Sequence, residues 1–358
     1  MYYIDENIKN TYRVKCKGAR INYLRLDTNE NPEGLPREFF DEVMNKVTPE
    51  LLSMYPEKDN LIHLLSEQNQ IEEECISLTN GSDEAIRLVF ETFCKPGKKI
   101  VSVTPTFEMY HVYSNMFGMI HEEVPYDDNL EISAEKIIDL IDANTNLVVL
   151  LNPNSPIGTA YSESEIRAII EKADRMDAIV IIDEAYHYFY EKTFMHLIKE
   201  FNNILIARTF SKLCSLAGLR IGYVVGSKDL IHYIENTQST YNVNSIGLLF
   251  AEEILKRPDI MKDLQDKERR GRDYLIGELN KSEYQYNYQN GNYILIKCNL
   301  PSTEVAASLK NKNILIKTYA RGLLKDWIRV TTGSKEVMEQ FWNEFKLVDK
   351  SASNGRPT

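Results

Sequence analysis

The chain has 358 residues, 43% of them hydrophobic, enough apolar material for two domains or for one large α/β unit with appendages. Its 53 acidic and 42 basic side chains give a formal net charge of −11, which argues against a nucleic-acid or anionic-membrane surface and leaves room only for a local basic pocket. Five scattered cysteines (Cys16, Cys75, Cys94, Cys214 and Cys298) have no CxxC spacing, so neither a disulfide framework nor a metal site is expected. The N-terminus lacks a basic segment followed by an apolar one, and no run approaches the ~18 apolar residues of a membrane span, so a cytoplasmic protein is expected.

In chain order, the first thirty or so residues are polar with a strand-like stretch, INYLRLDTNENP (21–32), and predict an arm that packs elsewhere. TNGSDEAIRLVFETF (79–93) places Asn80, Gly81 and Ser82 ahead of an amphipathic helix whose first turn holds Asp83 and Glu84. Short apolar, β-branched runs then recur at 99–105, 146–154, 178–186, 203–212 and 220–227, and their continuous apolarity predicts strands buried on both faces. Between them lie helical patterns such as 162–177, where Ser162 and Glu165 have the spacing of a capping box. Strand, helix, strand alternation implies a mostly parallel sheet. Beyond Gly226 come long helical patterns over 245–281, then strand-like GNYILIKCN (291–299) and WIRVTTG (327–333), which predict a smaller α+β domain. The tail 350–358 reads as disordered.

Four apolar runs end in polar residues: Thr104, Asn152, Asp183, and Thr209 with Ser211. In open α/β sheets ligands bind beyond the carboxyl ends of the strands, so these residues can converge although they are far apart in sequence. Gly81 and Ser82 at a helix start offer free backbone N–H groups to an anion, although an ordinary N-cap has the same appearance. Asp183 at a strand mouth needs a partner for its charge. Lys212 follows Ser211 and precedes Arg220 by eight residues, and an amine held among cations deprotonates readily enough to link covalently to a carbonyl cofactor. Alone, each of these is an ordinary structural residue; together they stand in the order that one cofactor requires.

In that order, TNGSDEAI, PTFEMY, NPNSPIG, IIDEAY, TFSK, LAGLRIGY and IRVTTG, the chain resembles the fold-type I pyridoxal-phosphate aminotransferases of class I/II, and among them the histidinol-phosphate aminotransferase group. The resemblance runs from about residue 26 to 334. It implies an α/β fold with a large cofactor domain around a mostly parallel sheet (31–240, part of 31–50 joining the small domain), an arm (1–30), a small α+β domain (241–348) and a tail (349–358). It implies pyridoxal 5'-phosphate as cofactor, with Lys212 as its covalent anchor and proton carrier, Asp183 on the ring nitrogen, and Tyr186 donating to the ring hydroxyl. Phe107 would stack on the ring, and Gly81, Ser82, Ser211 and Arg220 would hold the phosphate, with Asp83 ordering the helix start and Tyr55 reaching across from the second subunit of a homodimer. Arg329 would grip a substrate carboxylate, and Asn31 and Asn292 would line the substrate pocket.

The chain also departs from the pattern. Ser155 stands where the family has an asparagine, with Asn152 or Asn154 as candidates to replace it; Glu33 replaces a tyrosine; and Lys317, with Arg321 nearby, stands where a phosphate-binding arginine is usual. The resemblance implies transamination of an amino acid or related primary amine against a 2-oxo acid, by default histidinol phosphate against 2-oxoglutarate. A decarboxylase of a phosphorylated amino acid such as threonine phosphate is the rival within enzymes. A non-catalytic regulatory protein of the same fold is the rival outside them; it lacks support, because such proteins carry an added nucleic-acid-binding region and this chain has no basic arm.

Overall fold

The computed structural model describes residues 2–11 and 18–349; the tail 350–358, read from the sequence as disordered, lies outside the described residues, as does Cys16. Among the described residues twelve strands form two sheets: β1 (Leu24–Leu26), β2 (Ile76–Thr79), β3 (Lys99–Thr104), β4 (Ile120–Pro125), β5 (Thr145–Leu151), β6 (Ile179–Asp183), β7 (Ile204–Thr209), β8 (Gly222–Gly226), β9 (Tyr286–Asn287), β10 (Tyr293–Lys297), β11 (Ile314–Thr318) and β12 (Trp327–Thr331). The larger sheet has the order β2-β8-β7-β6-β5-β3-β4. Strands β4, β3, β5, β6 and β7 are parallel, and β8 runs antiparallel to both β7 and β2.

The apolar runs are continuous because both faces of this sheet are covered. Val148, Leu150, Val180, Ile182, Ile204 and Ile206 pack into one core, while the alternate residues Leu147, Val149, Ile181, Leu205 and Ala207 pack into another. Helices on each side carry matching apolar stripes, as in Gly81–Phe93 and Glu163–Asp174. Ser162 caps the second of these: its hydroxyl accepts from the Glu165 N–H, and the Glu165 carboxylate accepts from the Ser162 N–H at 2.7 Å.

The smaller sheet has the order β1-β11-β12-β10-β9, with β1 parallel to β11 and the other pairs antiparallel. Strand β1 joins a sheet otherwise made from the C-terminal third of the chain, Leu24 pairing with Ile314, and so delivers residues 27–31 to the space between the sheets. Helices Pro258–Lys281, Ser302–Lys310 and Lys335–Val348 cover this sheet through Leu275, Leu279, Val305, Phe341 and Trp342. The helical pattern over 245–281 is two helices, Ser245–Leu255 and Pro258–Lys281. The ring of Pro258 disfavours helical geometry at Arg257, which has φ −121° and ψ 72°. Among the described residues, no helix is long and apolar enough to cross a membrane.

Gly271 sets how closely the long helix approaches the turn after β12. A Cβ there would lie 2.1 Å from the Gly333 carbonyl oxygen and 2.5 Å from that of Ser334, both backbone atoms that no rotamer change can move. Gly277 on the same helix has nothing within 4 Å of its Cβ position. We therefore expect Gly271→Ala to destabilise the protein by about 1–3 kcal/mol, and Gly277→Ala to stabilise it by up to ~1 kcal/mol. Thermal and urea unfolding of the two variants side by side checks this.

Candidate active site

The carboxyl ends of β3, β5, β6 and β7 lie on one side of the larger sheet, and there a cavity of about 130 Å³ is lined by Ser82, Phe107, Asp183, Tyr186, Lys212 and Arg220, among others. A second cavity of about 120 Å³, towards the smaller sheet, is lined by Asn31, Glu33, Lys212, Glu268 and Asn292. Lys212 stands in the wall of both.

At one end of the first cavity the geometry is set by glycine. Gly81 opens helix Gly81–Phe93 at φ +73°, and a Cβ there would lie 2.3 Å from Arg220 Nη2. Gly222 lets β8 pass equally close, since its Cβ would lie 2.8 Å from the Ser82 nitrogen. Arg220 itself sits in the left-handed region at φ 55°, a conformation that costs a non-glycine residue of order 1 kcal/mol. Its guanidinium donates to the Ser211 hydroxyl at 3.3 Å and to the carbonyls of Asn80 (3.3 Å) and Ala217 (3.4 Å), and among the described residues it has no carboxylate partner. A cation with only long contacts to neutral acceptors, beside free N–H groups at a helix start, is a built anion site. Asp83 accepts from the Tyr113 hydroxyl at 3.3 Å, which holds it on the helix side.

At the other end Asp183 is 2% exposed. Oδ2 accepts from the Tyr110 hydroxyl at 2.9 Å and Oδ1 from the Ala185 N–H at 3.0 Å. Burial pushes this carboxyl up to about 6, although the Tyr110 and Ala185 hydrogen bonds and the charge of Lys212 pull the other way. The next residue, Glu184, is locked to Arg208 at 2.7 Å with both side chains buried, which fixes the segment leaving β6. Phe107 precedes helix Glu108–Met116, meets Tyr110 edge-on with ring centroids 6.3 Å apart, and is an exposed residue in the cavity wall.

Lys212 Nζ donates to the Thr28 carbonyl at 3.0 Å and lies 5.5 Å from the centre of the Tyr186 ring. Burial alone would raise the Tyr186 phenol, but the charges of Lys212 and Arg329, with hydrogen bonds to Ser155 and Asn29, bring it below its ordinary value. Arg329 donates to the Asp27 carbonyl at 2.7 Å and to the Ser155 hydroxyl at 3.1 Å. Lys317 stands directly opposite Arg329 in the β11–β12 ladder, on the same face; neither Lys317 nor Arg321 forms an ion pair among the described residues.

The asparagines divide. Asn31 donates to the Ser215 hydroxyl at 2.7 Å, and Asn292 donates to the Asn29 carbonyl while its buried Oδ1 has no partner among the described residues. Asn152 accepts from the Tyr161 N–H at 2.9 Å, leaving Nδ2 buried without one among the described residues. Asn154 is fully used at the edge of the site, accepting from Thr106 and donating to the Pro105 carbonyl and the Tyr126 hydroxyl. Ser155 is the member of this loop that reaches Arg329. Tyr55 is 71% exposed and stacked on Tyr241, ring centroids 4.1 Å apart; it does not line the cavity of its own chain.

Two residues of this network, Tyr110 and Asn29, carry no sequence signal of their role. Tyr110 is the donor to Asp183. Asn29, at φ 58°, donates to the Tyr186 hydroxyl at 2.8 Å and accepts from Thr331. Only the left-handed tolerance of asparagine within a polar run marks Asn29.

The family model described as aminotransferase class I and II matches residues 29–345. The chain belongs to this family. The aminotransferase is 30% identical over 334 residues to a histidinol-phosphate aminotransferase of Clostridium novyi, covering 92% of this chain and 93% of the relative. It is 31% identical to one from a Thermoanaerobacter species, covering 95% and 99%. Among solved structures it superposes on histidinol-phosphate aminotransferase from Sinorhizobium meliloti, determined with pyridoxal-5'-phosphate, with a TM-score of 0.86 at 18% identity, covering 97% and 98% of the two chains. A threonine-phosphate decarboxylase from Porphyromonas gingivalis gives 0.76 at 21% identity, covering 90% and 98%. The protein is a pyridoxal-phosphate-dependent aminotransferase, and its residues fit that group: a glycine cradle with an unpaired arginine, a buried carboxylate lacking a close cation, and a lysine between them.

The raised Asp183 carboxyl has a stability consequence in the cofactor-free protein. The folded state holds this proton more tightly than the unfolded chain, so stability falls as pH rises from ~4, the unfolded value, to about 6. The cost is fully present above that, of order 3 kcal/mol. Asp183→Asn removes it. The cofactor-free variant should melt higher than wild type at pH 8, with the gap closing towards pH 4; a gap that does not change with pH would rule out the Asp183 contribution.

Proposed function

We propose that this aminotransferase moves the amino group of histidinol phosphate, or of a closely related small primary amine, to 2-oxoglutarate, as a cytoplasmic homodimer. The observation that supports it most is electrostatic: Lys212 and Arg220 line the first cavity, Arg329 acts on Tyr186 in its wall, and none of the three has a carboxylate salt-bridge partner among the described residues. Two anion anchors flank a central amine, which suits a cofactor phosphate on one side and an anionic substrate group on the other.

Bound in this site, pyridoxal phosphate supplies an electron sink and a carbonyl carbon that holds the amino group between the two half-reactions. Gly81, Ser82, Ser211 and Arg220 hold the phosphate, Phe107 covers the ring, Asp183 keeps the ring nitrogen protonated, and Tyr186 with Asn29 behind it binds the ring hydroxyl. Ser155 holds Arg329 in place rather than reaching for the ring. Lys212 would take the proton from the substrate α-carbon and return it at the other end of the transfer. Arg329 receives the carboxylate of the acceptor and, with Lys317 on the same face and Arg321 nearby, the phosphate of the donor. Asn31 and Asn292 border the donor side chain.

The similarity to a threonine-phosphate decarboxylase makes that chemistry the outcome to test against. Purified enzyme is supplied with histidinol phosphate and 2-oxoglutarate, with a panel of amino acids, and with threonine phosphate alone. Glutamate formation should be fastest from histidinol phosphate; carbon dioxide release from threonine phosphate without a 2-oxo acid would overturn the proposal, as would another amine preferred more than tenfold. Lys212→Ala should cut kcat by ~10²- to 10⁴-fold. After borohydride reduction and denaturation, wild type but not the variant should keep the cofactor on the polypeptide.

Tyr55, Leu52 and Met54 form exposed apolar surface at 71%, 61% and 56%, with Tyr241 beside them, and the proposed occupant is a second copy of this chain. If Tyr55 reaches the partner's phosphate, Tyr55→Phe should weaken cofactor binding ~10-fold, as for one hydrogen bond to a charged group, with the dimer intact by sedimentation. Leu52→Glu with Met54→Glu should yield monomers that retain cofactor poorly.

A further inference from the structure

Away from the active site, the side chains best suited to ligate a metal gather at the outer edge of the larger sheet. His111 lies on helix Glu108–Met116, and His121 and Glu123 lie two residues apart on edge strand β4, hence on one face. One ligand atom from each falls within 4.8 Å of the others, and the two imidazole centroids are 5.6 Å apart.

The hydrogen bonds decide which His121 nitrogen is free. Ser102 Oγ lies 2.8 Å from His121 Nε2 and occupies that nitrogen. Nδ1 is buried and has no protein partner among the described residues. A histidine with one nitrogen oriented by a hydroxyl and the other left open is arranged as a ligating histidine is. A buried polar nitrogen without a partner carries an energetic penalty that a bound ion would remove.

We propose that His111, His121 and Glu123 bind one borderline divalent transition metal of the Zn²⁺ class, with water completing the coordination. Two nitrogens and one carboxylate suit Zn²⁺ or Co²⁺ and not Ca²⁺ or Mg²⁺, which take oxygen ligands. With bonds of ~2.0–2.1 Å the ligand atoms of a tetrahedral site stand ~3.3 Å apart. His111 and Glu123 are exposed side chains and close that distance by rotation, while His121 stays in place. The ion would tie helix Glu108–Met116 to β4. No cysteine takes part, and the ten-residue separation of the histidines belongs to no common motif, so the sequence alone points to no metal.

The test uses untagged, chelator-treated holoenzyme titrated with Zn²⁺ at neutral pH, and with Co²⁺ as a spectroscopic probe. His111→Ala, Glu123→Gln and the double variant change only exposed positions, so they should fold as wild type does. Wild type should bind one Zn²⁺ per chain, show cobalt d–d bands of raised intensity, and melt higher with metal. Each single variant should bind at least tenfold more weakly, and the double variant should show neither the bands nor the shift. Equal stoichiometry and affinity in wild type and the double variant, which would include binding at cysteine thiols, would overturn the proposal.

Discussion

A carboxylate is held out of water at the end of β6, and much of the active site follows from that. Asp183 is buried with two neutral donors, Tyr110 and Ala185, and no ion pair of its own among the described residues. Two hydrogen bonds do not replace the hydration of a charge, and its raised carboxyl shows the shortfall. Such a group persists only when the surroundings are rigid enough to keep it from solvent. The five parallel strands, buried on both faces, and the Glu184–Arg208 pair beside it provide that rigidity. The deficit in turn makes the cavity selective for a ligand that brings a positive N–H to this spot.

The opposite end of the cavity stores its strain in the backbone. Helix Gly81–Phe93, strand β8 and Arg220 meet where two glycines allow contact that no side chain would tolerate, and Arg220 turns through a left-handed conformation to aim back at the helix start. The reversal of β8 makes this meeting possible, since it brings the segment after Lys212 back alongside β7, with Thr209 opposite Gly222. A parallel strand would have left Arg220 at the far edge of the sheet.

Five strands of the larger sheet, β3, β5, β6, β7 and β8, were legible because burial on both faces leaves an uninterrupted apolar run, and the Ser162 capping box because it is a local pattern; the short β2 and the largely exposed edge strand β4 were not. Sheet order, the reversed β8 and the recruitment of Leu24–Leu26 into the C-terminal sheet were not legible either, since pairing depends on partners outside the local pattern, Ile314 in the case of Leu24. The same distinction runs through the site. Lys212, Asp183 and Arg220 sit in motifs whose residues are close in the chain. Asn29 acts through Tyr186 and Thr331, and Tyr110 through Asp183, across separations that no local spacing encodes. Ser155 shows the converse, a substitution visible in the sequence whose meaning needed its contact with Arg329.

How a chain with net charge −11 keeps three cations available for anions is answered by the loop after β1. Its acids are neutralised within their own segment: Asp27 by Arg20 at 2.7 Å, and Glu30 by Arg20 at 2.8 Å and Arg25 at 3.1 Å. What this loop turns towards Lys212 and Arg329 is backbone, the carbonyls of Thr28 and Asp27. A carbonyl satisfies a cation in the absence of ligand yet competes weakly with a carboxylate or phosphate, whereas a salt bridge would have to be broken first. Arg20 and Arg25 therefore act on the site by holding the carboxylates of Asp27 and Glu30, so that neither forms a salt bridge with Lys212 or Arg329.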